Sequence, residues 1–130
     1  MSTENLWGEI TEQTAGPAPI NLLREQADLL TKMTNGLLTG IAHTQAAARR
    51  FNQLNSYLSV RVASLNNYEV TLIKVQQPLL LYPLHITDHI AAKSYDCSDY
   101  ESFKVVLKQI LSSDQMKKVL SGLLRQADKA

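Results

Sequence analysis

Alternating apolar and polar residues flank a pair of asparagines in residues 51–76, which read FNQLNSYLSVRVASLNNYEVTLIKVQ. Period-two alternation is typical of β-strands, because successive side chains of a strand point to opposite faces of the sheet. Asparagine adopts a positive φ more readily than most residues, so Asn66 and Asn67 favour a tight two-residue turn. The pattern therefore predicts a β-hairpin of residues 51–62 and 68–76.

Two further strands are predicted beside this hairpin, over residues 37–45 and 79–87. The first contains Gly40, and glycine weakens a strand because it has no side chain to pack. The second contains Pro83, which cannot donate a hydrogen bond to a neighbouring strand, so an edge position or a bulge is expected there. Together with the hairpin, these runs predict a four-stranded, largely antiparallel meander.

Helical patterns stand on both sides of the strand region. Pro19 suits the first turn of a helix, and apolar residues then recur at helical spacing as far as Thr34. Near the end of the chain, capping signals at Ser98 and Ser112 each precede an apolar stripe of helical period. This order predicts an α+β domain in which one N-terminal and two C-terminal helices pack on one face of the sheet.

Length and composition indicate a single domain. The chain has 130 residues, of which 45% are hydrophobic and 19% are charged, and such a chain can bury one packed core. Residues 1–18 are polar and end in a Gly-Pro-Ala-Pro run, which disfavours a helix. They are expected to form a tail or linker ahead of one domain at residues 19–130.

Charge limits the classes of partner. The net charge of +1 creates no overall field that would attract nucleic acid or an anionic membrane. The two ends of the chain nevertheless differ, because residues 1–28 carry five acidic residues and one arginine, whereas residues 101–130 carry six basic and three acidic residues. Binding to nucleic acid is therefore not favoured, although the C-terminal helices are locally basic.

The sequence also predicts the compartment. Cys97 is the only cysteine, so one chain can form neither an intramolecular disulfide nor a thiolate-rich zinc site. No run of about 20 apolar residues could span a bilayer, and the first residues lack the basic and apolar parts of a signal peptide. We expect a cytoplasmic protein that does not bind membranes.

Residues 84–89, LHITDH, hold the one cluster of metal-ligating residue types. On a strand, His85, Thr87 and His89 would project from one face. Zinc generally takes three or four protein ligands, and the remaining donors, His43 and Asp96, would have to approach through the tertiary structure. Solvated histidines at a strand end are the favoured interpretation, and a metal-binding protein or metal-dependent hydrolase using His85 and His89 stays an alternative.

The region around Cys97 offers only a weak candidate for nucleophilic chemistry. A helix N-terminus can lower a thiol pKa, but the neighbouring Asp96 and Asp99 act in the opposite sense. The sequence also lacks a phosphate-binding loop, a Gly-x-Ser-x-Gly motif and a His-Glu-x-x-His motif. We therefore assign no catalytic or cofactor-binding residue, expect no cofactor and favour a protein that is not an enzyme.

A third class of function rests on basic residues near the hairpin. Arg49, Arg50 and Arg61, together with tyrosines of the predicted sheet, have the composition of a nucleic-acid-binding surface. The glycine- and aromatic-rich signature of an RNA-recognition motif is absent. Weak nucleic-acid binding through these arginines is therefore an alternative, and a solvated sheet face is favoured.

The predicted architecture favours an interaction protein. An antiparallel sheet that is covered by helices on one side exposes its other side, and an exposed apolar patch commonly mediates self-association. We therefore predict a small, non-enzymatic, cytoplasmic interaction module of an adaptor, chaperone-like or immunity type, which forms a homodimer or binds another protein. The expected interaction surface consists of Trp7, Tyr57, Arg61, Tyr68, Val70 and Leu72.

Overall fold

The computed structural model describes residues 3–14, 16–48 and 50–129. Five antiparallel strands form one sheet in which each strand pairs with the next one along the chain. The elements are α1 (Pro19–Met33), β1 (Thr39–Ala47), β2 (Arg50–Val62), β3 (Tyr68–Pro78), β4 (Leu84–Asp88), β5 (Lys93–Cys97), α2 (Tyr100–Leu111) and α3 (Asp114–Lys129), with short 3-10 turns at Glu12–Thr14 and Ala63–Leu65. The α+β class and the antiparallel meander are confirmed, but the predicted number of strands is wrong.

The fifth strand, β5, explains the difference. It reads KSYDC and pairs with β4 along its whole length. Most of its residues are polar and exposed, so the sequence carries little of the alternation that identifies a half-buried strand. A strand of this kind forms because β4 offers it a hydrogen-bonding edge.

The bounds of β4 also correct the sequence-based prediction. This strand begins at Leu84, so Pro83 precedes it and occupies no position in the hydrogen-bonded ladder. The expectation of an edge strand or a bulge at Pro83 is therefore wrong, because β4 lies between β3 and β5. Proline here ends a loop, which is a position where its missing N–H has no consequence.

The predicted hairpin at the asparagine pair is confirmed. Val62 of β2 pairs with Tyr68 of β3, and Asn66 and Asn67 both adopt a left-handed conformation, with φ values of 61° and 60°. The connection is longer than the predicted two residues, because a 3-10 turn at Ala63–Leu65 precedes the asparagines.

Helix α1 begins at Pro19, as predicted, and ends in a Schellman motif. The Gly36 N–H donates to the carbonyl oxygen of Thr31 at 2.9 Å, and the Asn35 N–H donates to that of Lys32 at 3.2 Å. Both Asn35 and Gly36 have a positive φ, which these two residue types tolerate well.

Helices α2 and α3 each begin one residue later than their capping signals suggested. The Asp99 carboxylate accepts a hydrogen bond from the Ser102 N–H at 2.8 Å, and the Ser102 hydroxyl accepts one from the Asp99 N–H at 3.2 Å. The Ser113 hydroxyl accepts one from the Met116 N–H at 3.2 Å. In both cases the cap is the residue whose side chain reaches the third helical N–H.

The core lies between the helices and one face of the sheet. Helix α1 packs on β1 and β2, whereas α2 packs against β5 and α3 approaches the 3-10 turn at Ala63–Leu65. All three helices contribute buried apolar residues to the same cluster, in agreement with the predicted arrangement. The largest of its fully buried side chains include Leu23, Val60, Ile73, Val75, Ile86, Phe103, Ile110 and Met116.

Helix α1 approaches β1 without an intervening side chain. A Cβ atom built on Gly40 would lie 2.6 Å from Ala27 Cα and would also overlap the Ala27 carbonyl group. The Gly40 N–H donates to Thr31 Oγ1 at 2.9 Å, and the Thr31 hydroxyl donates to the Ala27 carbonyl oxygen at 3.1 Å. Gly40 therefore permits a backbone contact that any other residue would prevent.

We predict that Gly40→Ala destabilises the protein. The added methyl group would meet helix backbone, which cannot move aside as a side chain can, so the free energy of unfolding should fall by about 1–3 kcal/mol or more. Urea denaturation measures this change.

Gly122→Ala is the matched control, because a Cβ built on Gly122 in α3 meets nothing within 4 Å. Glycine is unfavourable inside a helix, so this variant should be about 0.5–1 kcal/mol more stable than the parent protein. Equal midpoints for the Gly40→Ala variant and the parent would contradict the proposed contact.

Candidate functional site

An apolar groove with a volume of about 700 Å³ lies between α1 on one side and α2 and α3 on the other. Its floor includes Leu38, Leu58 and Leu72, which are all buried. The groove exists because α1 covers one end of the sheet and α2 the other, so the helices leave a gap above the central strands. Its walls are mainly leucines of the three helices: Leu22, Leu29, Leu30, Leu107, Leu111, Leu120 and Leu124.

A β-bulge places two consecutive residues of β3, Leu72 and Ile73, on the helix side of the sheet. The pairing of β2 with β3 passes from Leu58 opposite Ile73 to Ser59 opposite Thr71, so Leu72 is the extra residue of β3. A bulge interrupts strict alternation and allows consecutive side chains to point toward the same side. Leu72 and Ile73 are accordingly both buried.

The pairing of β2 with β3 puts part of the expected interaction surface on the helix side of the sheet. Leu72 is only 1% exposed and Val70 packs against the core, so neither lies on an open sheet face as expected from period-two alternation. Tyr68 is exposed, but it pairs with the buried Val62 at the hairpin end and so also belongs to the helix side. Tyr57 and Arg61 belong to the opposite, uncovered face.

Three lysines line the groove together with its leucines. Lys104 and Lys108 are one turn apart on α2, and Lys117 lies on α3. All three are exposed, and none forms an ion pair with a carboxylate of residues 3–14, 16–48 or 50–129. Positive charges beside an apolar surface favour a ligand that is both apolar and anionic.

The uncovered face of the sheet is polar, and it carries an ion pair and a ring contact. Arg61 Nη2 lies 3.0 Å from Glu69 Oε1, and the rings of His43 and Tyr57 stack with a centroid distance of 5.2 Å. Arg49 lies outside the described residues, as does the side chain of Arg50. Of the three arginines considered for nucleic-acid binding, only Arg61 has a described side chain, and that side chain is paired with Glu69.

The histidine cluster gains one carboxylate from the tertiary structure. His85 Nδ1 lies 2.9 Å from Asp96 Oδ1, because β4 pairs with β5 at this position. His89 is exposed beyond the end of β4, and His43 lies three strands away on β1. Within the described part of the chain, no three His, Cys, Asp or Glu side chains are placed to hold a metal ion.

Asp88, beside these histidines, has a structural role. It is 2% exposed, and its Oδ1 accepts hydrogen bonds from the backbone N–H groups of Ile90 and Ala91 at 2.9 and 3.1 Å. A buried carboxylate needs such partners. These bonds shape the turn between β4 and β5, which positions Asp96 opposite His85.

Cys97 is buried at the end of β5. Burial raises the pKa of its thiol; a hydrogen bond with Ser102 opposes this effect, and the carboxylates of Asp96 and Asp99 add to it. Because the thiol pKa is higher in the folded than in the unfolded chain, Cys97 stabilises the fold at pH values below its unfolded pKa. This stabilisation is lost as the pH rises through the folded pKa. The thiol is therefore kept neutral and shielded at neutral pH.

Comparison with known proteins provides no family assignment, because no family model, no curated protein and no solved structure matches the chain. Among the helices that the structure describes, none is long and apolar enough to cross a membrane.

Sequence reasoning missed the groove, although one signal for it is present. Leu29 and Met33 widen the apolar stripe of α1 beyond what the core buries, and both remain exposed beside the groove. The lysines of α2 and α3 fit the ordinary pattern of a solvated helix face. Only the tertiary structure reveals that Lys104, Lys108 and Lys117 face the same apolar space.

We predict that Cys97 reacts slowly with iodoacetamide in the folded protein. Because the thiol is buried and its pKa is raised, alkylation near pH 8 should be at least about tenfold slower than in the same chain unfolded in urea. Mass spectrometry of timed samples measures both rates. A folded-state rate above that of the unfolded chain would instead identify an activated thiol.

Proposed function

We propose that this protein is a non-enzymatic interaction module that binds an amphipathic, acidic segment of a partner protein in the groove between α1, α2 and α3. The observation that supports this proposal is the combination of an open leucine-lined groove with three lysines that lack carboxylate partners among the described residues. The apolar side of the segment would contact the leucines, and its carboxylates would contact the lysines.

The size of the groove suits a small number of anchoring side chains. Its volume of about 700 Å³ falls within the range of roughly 300–1,000 Å³ that is typical of ligand pockets. Helical peptides commonly bind such grooves through apolar residues spaced three or four apart. The long axis of α1 provides a wall for this mode, because Leu22, Leu29 and Met33 all line the groove.

The distribution of the lysines favours a protein segment over a fatty acid. A fatty acid has a single carboxylate at one end, whereas Lys104 and Lys108 are separated by one helical turn and Lys117 lies on a different helix. Several separated cations match a ligand with several separated anions.

Self-association and a cytoplasmic location remain part of this proposal. The single buried cysteine suits a reducing compartment. Residues of the expected interaction surface that stay exposed are Trp7, on the N-terminal segment, Tyr68, at the hairpin end, and Arg61, on the uncovered sheet face. A homodimer would cover some of these side chains.

Binding of model peptides tests the groove. Two labelled amphipathic peptides with the same leucine pattern, one carrying glutamates and the other lysines on its polar side, are titrated with the full chain and followed by fluorescence anisotropy. The acidic peptide should bind and the basic peptide should not. Raising the salt concentration should weaken binding, because the rim charges are exposed and screened.

Lys108→Glu should weaken binding of the acidic peptide by about three- to tenfold, since it replaces an attraction of roughly 0.2–1 kcal/mol with a repulsion. Lys118→Glu is the matched control, because Lys118 is also an exposed helical lysine but does not line the groove. Equal binding of the two peptides, or equal effects of the two substitutions, would contradict the proposed function.

A further inference from the structure

The N-terminal segment, residues 4–12, exposes an unusual amount of apolar surface. It reads ENLWGEITE, and the side chains of Leu6, Trp7 and Ile10 are between 76% and 85% exposed. Single exposed apolar residues are common on protein surfaces, but three large ones within five positions indicate a contact surface. In the single chain, this surface is not covered by the domain.

The same segment is acidic. Glu4, Glu9 and Glu12 are its only charged residues, so it has the charge opposite to that of the groove lysines. Leu6 and Ile10 are four positions apart, and Trp7 precedes Ile10 by three. In a helical conformation these three side chains would share one side, with Glu4 and Glu9 at its borders and Glu12 opposite. The segment is therefore both apolar and acidic, and these are the two properties that the groove would select.

We infer that the N-terminal segment of one copy of this protein binds the groove of a second copy. This inference rests on the proposed function of the groove, and it names the occupant. Leu6, Trp7 and Ile10 would pack on the groove leucines, while the segment's carboxylates would lie near Lys104, Lys108 and Lys117. Reciprocal exchange of two segments would produce a closed, two-fold symmetric dimer.

The connection to α1 favours a second copy over the groove of the same chain. The Tyr82 hydroxyl donates to the carbonyl oxygen of Pro17 at 3.0 Å, which ties the base of the segment to the domain. Ala18, between Pro17 and Pro19, is extended, with φ of −82° and ψ of 137°. Prolines stiffen this connection, and in the single chain the segment points its apolar side chains to solvent.

Trp7 provides a direct test, because it is the only tryptophan in the chain. Its fluorescence is recorded for the full chain from about 0.1 µM to about 1 mM, a range that covers weak and moderately tight association. Light scattering or sedimentation gives the mass over the same range. The emission should shift to shorter wavelength as the protein passes from monomer to dimer, and both changes should have the same midpoint.

A charged residue in the wall of the groove should raise the protein concentration at which half of the chains are dimeric. Leu29→Lys places a cation on the leucine wall and should raise the midpoint at least tenfold. Val105→Lys is the matched control, because Val105 and Leu29 are comparably exposed, at 58% and 48%, and Val105 does not line the groove. Trp7→Ala, which changes an exposed side chain and so leaves the fold intact, should also raise the midpoint of the mass change at least tenfold.

Three results would overturn the inference. They are a solvent-like Trp7 emission at every concentration, a shifted emission in a particle of monomer mass, and a dimer in which Trp7 stays exposed. If the acidic model peptide still binds the groove in a Lys108-dependent manner, only the identity of the occupant is wrong. If that peptide does not bind either, the proposed function of the groove fails as well.

Discussion

The contact between the backbone of α1 and Gly40 of β1 determines where the first helix lies. With no side chain between them, Ala27 and Gly40 approach more closely than a Cβ atom would allow, and the Thr31 hydroxyl bridges the two elements. This contact holds α1 over β1 and β2. Helix α2 packs on the opposite end of the five-stranded sheet, so the space above the central strands is left to the groove. The candidate site is thus a consequence of helix placement.

Local sequence signals were sufficient for the elements that carry them strongly. The hairpin at Asn66 and Asn67 and the start of α1 at Pro19 depend on residue conformational preferences and on apolar period, both of which can be read along the chain. Strand β5 could not be identified in this way, because its polar residues form a strand only by pairing with β4. The faces of β3 could not be assigned either, since the bulge at Leu72 depends on the register with β2.

The candidate site was harder to predict than the fold, because it joins distant residues. Leu29, Leu58 and Lys108 are separated by many positions in sequence and meet only through the packing of α1 and α2 on the sheet. Sequence patterns identify an apolar stripe or a charged helix face, but they do not distinguish a stripe that is fully buried from one that borders a groove. The wide apolar stripe of α1 is the available signal. It indicates a groove only together with the structure, in which Leu29 and Met33 of that stripe are exposed.

The charge asymmetry of the chain bears on the proposed association of the N-terminal segment with the groove. Like charges on neighbouring helical turns repel each other, so Lys104 and Lys108 are less favourable together than either would be with an anion. The N-terminal segment has the complementary problem, because its carboxylates repel one another while its apolar side chains stay in water. Binding of the N-terminal segment to the groove would reduce the repulsion among the lysines and among the carboxylates, and it would remove the apolar side chains from water. In the proposed dimer, the acidic start and the basic end of the chain, which nearly cancel in the net charge of +1, would meet at one interface.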